Sequence, residues 1–87
     1  MSSASVSFAR DIFPLFTKRD IEHMKPMDVL LNDYQYMADK QDNHRNALRV
    51  YDSLSGKTQP QMPINGPYWN QDKLDLFKRW MDQGYAP

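Results

Sequence analysis

Residues 8–24 read FARDIFPLFTKRDIEHM, and the spacing of their apolar side chains predicts two short helices rather than strands. Phe8, Ile12, Leu15 and Phe16 recur at helical intervals, and Ser7 is placed to cap them. Pro14 falls in the early second turn of a helix that starts at Ala9 or Arg10. With no N–H and a ring that crowds the previous turn, it ends or kinks that helix nearby. Thr17 caps the next helix, with Asp20 at the third helical position as its reciprocal partner. That helix carries Ile21, His23 and Met24 and stops before Pro26.

The same reading extends outward. KPMDVLLND (25–33) is an extended or turning segment, after which Asn32 or Asp33 caps a helix from Tyr34 to about Lys40. DKQDN is a polar break. A further helix runs from about His44 to Leu54 with Ala47, Leu48, Tyr51 and Leu54 as its apolar stripe, closed by Gly56. GKTQPQMPINGPYWN (56–70) holds two of the three glycines and three of the six prolines, so it is a loop, with Asn65–Gly66 as turn chemistry. Asn70 caps the last helix, whose Leu74, Phe77 and Met81 share a face with Trp80 before Gly84 ends it. No stretch shows the sustained alternation of a strand. The expected architecture is a small all-α bundle of four to five short helices, with one long loop before the C-terminal helix.

Eighty-seven residues make one domain, expected over 7–87 behind a loose lead-in at 1–6. An apolar fraction of 40% is enough to fold, but ordering costs roughly 1.5 kcal/mol per residue, so a chain this short is only narrowly stable by burial. Zero cysteines exclude disulfides, thiolate metal sites and covalent c-type haem. Eleven basic and eleven acidic residues cancel, which disfavours nucleic acid as a partner. Neutrality also lowers one barrier to association, so a protein partner or self-association is expected. No apolar run reaches membrane-span length, and MSSASVSFARD has neither a basic nor an apolar leader region. The expected compartment is the cytoplasm, or the periplasm if a signal peptide was removed.

With these features in order, FARDIFPLF (8–16) resembles the opening helix of bacterial class I cytochrome c domains, in which a run of the type F-x-x-D-I-x-P-[IL]-[FL] leads into C-x-x-C-H. The corresponding five residues here are RDIEH, with Arg19 and Glu22 at the two cysteine positions and His23 at the haem-ligand position. Such domains often supply the second axial ligand from a Met-Pro loop, and this chain has Met62–Pro63 followed by an amphipathic final helix. The resemblance covers about residues 7–87. It implies a cytochrome c-like domain that has lost the thiols for covalent haem.

His23 and Met62 therefore have two readings. As surviving axial ligands they would hold haem noncovalently for electron transfer. As ordinary residues, His23 is a partly exposed helix end and Met62 a flexible filler in a loop that folds over the core. The second is preferred, because Glu22 would sit beside the ring and because the chain has the bulk to fill a vacated pocket. Met24, Met27, Met37, Tyr34, Tyr36 and Trp69 lie in the segments that would surround it, and an empty pocket is costly. No cofactor is expected.

Neither His44 with Asp42 nor His23 with Asp20 and Glu22 matches a metal-ligand spacing, and no nucleophile–base pair or phosphate loop stands out. KQDNHR (40–45) reads as a solvated charged face. In NGPYWN (65–70), Tyr68 and Trp69 are the interaction candidates, although anchoring the loop on the core is the commoner role of such residues. The expected function is a non-catalytic structural or protein-interaction module, an accessory subunit beside a redox or metalloenzyme partner.

Overall fold

The computed structural model describes residues 6–59, 61–63 and 67–87, and all regular structure among them is helical. Residues 1–5 of the expected lead-in and the Asn65–Gly66 turn lie outside the described residues. No helix among those described is long and apolar enough to cross a membrane.

Local chemistry explains most of the element boundaries. The chain opens with a π-helical turn, Phe8–Ile12, capped by Ser7, whose hydroxyl accepts from the Arg10 N–H. Asp11 reaches back to accept the Ser7 N–H at 2.8 Å, so two otherwise orphaned donors are satisfied reciprocally. A 3₁₀ turn, Phe13–Leu15, follows with Pro14 in its first positions, where no N–H is needed. Helix α1 (Lys18–Met24) carries the full capping box expected of it: Asp20 N–H donates to Thr17 Oγ1 at 3.1 Å and Thr17 N–H to Asp20 Oδ2 at 3.0 Å.

The segment after α1 is a 3₁₀ turn, Lys25–Met27, closed by Asp28 in the left-handed region at φ 61°. The Val29 N–H reaches the Met24 carbonyl and the Asp28 N–H that of Lys25, the double closure usually built on glycine. Helix α2 (Tyr34–Met37) is capped by Asp33 and ends three residues before the expected Lys40. The reason is local competition. Asp39 N–H turns back to the Tyr36 carbonyl, and Asp39 Oδ1 accepts the Gln41 N–H at 2.8 Å.

Helix α3 (Gln41–Ser55) begins with Asp42, Asn43 and His44 all at φ between 53° and 61°, a left-handed turn leading into a right-handed helix. It buries Ala47, Val50 and Leu54, with Tyr51 partly covered, whereas Leu48 is 49% exposed. The expected stripe is thus corrected at one position: Val50 replaces Leu48, a choice made by what α3 packs against. Gly56 closes α3 at φ 86°. Helix α4 (Gln71–Asp82), capped by Asn70, is the longest uninterrupted right-handed helix and buries Phe77 and Trp80 completely.

An aromatic series ties these elements together. Phe8 lies 5.5 Å from Trp80 and 5.7 Å from Tyr34; Phe77 lies 5.5 Å from Trp80 and 6.2 Å from Trp69; Trp69 lies 5.3 Å from Phe16. Each tilted or edge-on pair adds about 0.5–1.5 kcal/mol beyond its buried area. The first helical turn therefore packs on the last helix. Backbone bonds reinforce this, since Phe8 N–H donates to the Ala86 carbonyl at 2.9 Å and Ala9 N–H to that of Pro87 at 3.2 Å. Val6, placed with the lead-in by sequence, is buried and donates its N–H to Gln83 Oε1 at 2.7 Å. The lead-in boundary at residue 6 is corrected accordingly.

Candidate functional site

Helix α1 and the loop before α4 meet at a small cavity. Asp20, His23 and Met24 lie at i, i+3 and i+4 on α1, so one helix face carries all three to the same place. Met62 reaches it from the loop, and Leu31 and Leu54 close it from below. Met62 itself is held by a backbone bond, its N–H donating to the Ser53 carbonyl at 3.0 Å beside the end of α3. Sequence reasoning paired His23 with Met62 across thirty-eight intervening residues, and the fold does bring both to one cavity.

The cavity holds only about 10 Å³. One water needs roughly 10–15 Å³ by the same measure, and cofactor pockets are on the order of 300–1,000 Å³. The space is filled by side chains: Met24 is 7% exposed, Met62 2%, Leu54 1% and Leu31 not at all. His23, which lines the cavity, is exposed; Glu22, beside it on α1, is exposed too and does not line it. These residues do not fit a haem. Met24 and Met62 also line a second cleft of about 100 Å³ with Met27, Val29 and Arg49, again too small for a macrocycle.

The other residues singled out by sequence have separate fates. Met37 is fully buried and Trp69 nearly so, while Tyr34 and Tyr36 pack partly buried against the core. Burial pushes the Tyr36 phenol pKa up. Met27 is 44% exposed and does not fill the core, a correction to its expected role. Trp69 is corrected as an interaction candidate: it is wedged between Phe16 and Phe77, with the Lys73 ammonium 6.0 Å above its ring. Tyr68, one residue earlier, is 55% exposed. The two neighbours are thus split, Trp69 packed on the core and Tyr68 turned to solvent.

One feature escaped the sequence reading. His44, expected on a solvated face, lies flat against Tyr85 with ring centroids 3.7 Å apart, and its Nδ1 is buried without a hydrogen-bond partner among the described residues. The backbone is left-handed at residues 42–44 where the imidazole packs on Tyr85, and nothing in a lone histidine within a polar run signals that. Among the described residues no three His, Asp or Glu side chains converge as a metal cluster.

Comparison with known proteins yields no matching family model, no matching curated protein and no matching solved structure.

Proposed function

We propose that this chain is a cytochrome c-like helical module without haem, non-catalytic, serving as a structural or protein-interaction subunit. The observation that carries the reading is the meeting of His23 and Met62 at a cavity of about 10 Å³ closed by Met24, Leu31 and Leu54. The two positions that would flank a haem iron are juxtaposed, and methionine and leucine side chains occupy the space between the helices. Two further relations support it. The final amphipathic helix α4 packs across the first helical turn through Phe8 and Trp80. Arg19 and Glu22, at the positions of the missing thiols, are exposed on α1. The interaction role draws on large apolar side chains left at the surface, among them Tyr68, Leu48, Met27 and Phe13.

Titration of the purified protein with hemin tests this directly. The expected result is no saturable Soret shift. A tight one-to-one complex abolished by His23→Ala and by Met62→Ala would overturn the reading in favour of an electron-transfer protein holding haem noncovalently.

A further inference from the structure

We infer that the groove between α3 and α4 is where a second copy of this chain docks, related to the first by a two-fold axis through the groove's centre. This rests on the interaction role proposed above and names its partner.

The groove holds about 420 Å³, and Leu48, Tyr51 and Met81 supply its apolar floor. Leu48, Tyr51 and Asp52 stand at i, i+3 and i+4 on α3, as do Lys78, Met81 and Asp82 on α4, so one face of each helix makes one wall. Leu48 is 49% exposed there, while Ala47, Val50 and Leu54 take the buried side of α3. The helix thus carries apolar residues on two faces, and the core of one copy uses only one of them.

Charge decides what covers the second face. Tyr51 lies 6.0 Å from Phe77 and His44 3.7 Å from Tyr85, so advancing along α3 means retreating along α4. From the Tyr51–Phe77 level, at 1.5 Å per residue, Asp82 stands about 8 Å and Lys78 about 2 Å toward the His44 end. Asp52 stands about 2 Å and Lys57 about 9 Å toward the other end. Along the groove the signs read minus, plus, minus, plus. Turned end for end about that level, the series becomes plus, minus, plus, minus. A two-fold axis there sets Lys57 of each copy opposite Asp82 of the other, and Asp52 of each opposite Lys78.

An isologous interface requires this self-complementarity, and a patch of single sign lacks it. The four charges sum to zero, as does the whole chain, so no net repulsion opposes the pairing. Within one copy Lys78 Nζ lies 3.3 Å from Asp82 Oδ2, but both side chains are more than half exposed. Water screens that pair and leaves both groups open to a second partner.

Sedimentation equilibrium from micromolar to millimolar protein tests this. A monomer–dimer equilibrium is expected, weakening as salt rises. Leu48→Ser, at a half-exposed position, is expected to weaken the dimer about tenfold or more. Lys57→Glu and Asp82→Lys each place like charges at both ends of the groove, and each is expected to weaken it about tenfold. Mixed one-to-one, these two variants restore opposite charges at both ends, so dimers should return in the mixture. Met27→Ser, at a residue 44% exposed and outside the groove, should leave the association unchanged. Circular dichroism checks that each variant is folded. A chain that stays monomeric overturns the inference, as does a dimer that Leu48→Ser leaves intact or that mixing the charge variants does not rescue. Capture of a different protein at this face by a monomeric chain overturns it too. Hemin uptake in the titration above would overturn the haem-free reading without touching the dimer. A monomer that takes up no hemin removes the dimer and leaves that reading standing.

Discussion

The imidazole of His44 and the phenol ring of Tyr85 are stacked with centroids 3.7 Å apart and planes within 7° of parallel. Both residues have positive φ, 61° and 62°, and one stands at mid-chain while the other lies near the C-terminus. Tyr85 is fixed in turn by Trp80, 5.1 Å away, and its carbonyl accepts the Tyr34 hydroxyl at 2.6 Å. The stack therefore joins the start of α3 to the segment after α4. A double-mutant cycle of His44→Ala and Tyr85→Ala, read by urea denaturation, is expected to give a coupling of about 0.5–1.5 kcal/mol. A coupling near zero would mean that the rings do not meet in solution.

The left-handed turn at 42–44 costs conformational energy that glycine would not bear. Asn43, at φ 58° and exposed, is the position where relief is cleanest. Asn43→Gly should leave stability unchanged or raise it by up to about 1 kcal/mol, while Asn43→Val should lower it by about 1–2 kcal/mol. Equal stability of the two variants would show that the turn is right-handed in solution.

Gly56 and Gly84 end α3 and α4 with the same paired backbone bonds, at φ 86° and 100°. They differ in surroundings. A Cβ on Gly56 would meet the Gln61 side chain at 3.0 Å, whereas one on Gly84 would meet nothing within 4 Å. Both alanine variants should lose about 1 kcal/mol or more from the left-handed backbone alone. Gly56→Ala should lose more than Gly84→Ala, and Gln61→Ala should remove the difference. Thermal unfolding of the parent, the single variants and Gln61→Ala combined with each glycine variant checks this.

Neighbouring aromatics at 68 and 69 should respond in opposite ways. Trp69→Ala opens a hole between Phe16 and Phe77 and is expected to cost about 3–5 kcal/mol. Tyr68→Ala should stay within about 0.5 kcal/mol of the parent. If this face associates, Tyr68→Ala should also reduce self-association in sedimentation runs. A large loss of stability in Tyr68→Ala would place that ring in the core instead.

Asp11 supplies a test in pH. Hydrogen bonds from the Arg10 guanidinium, then from the Ser7 backbone, hold its carboxyl below the usual carboxylate range. Its charged form is thus favoured by folding. The stabilisation is complete above the unfolded carboxyl's pKa, about 3.9, and is lost as acidification passes below it. Asp11→Asn should therefore lower stability at neutral pH and narrow its gap to the parent below about pH 4. Because the side chain is partly solvated, the effect is small. A constant gap across that range would mean the carboxylate's charge does not contribute.

Features legible in the sequence are those set by neighbours three or four residues apart. Ser7, Thr17 with Asp20, Asp33 and Asn70 each cap the helix read from their position, and Gly56 ends α3 where expected. A capping bond needs only a side-chain oxygen and an N–H within one turn, so the information is local. The all-helical class follows for the same reason, from apolar spacing within single segments. Tertiary structure alone decided what depends on partners distant along the chain. Val6 is buried because it meets Gln83, seventy-seven residues away. Leu48 is exposed and Val50 buried because of how α3 sits on its neighbours. His44 turns inward because Tyr85 offers a ring face. Sequence pairing of His23 with Met62 identified the residues, but the size of the space between them depends on how Met24, Leu31 and Leu54 pack, which no single segment encodes.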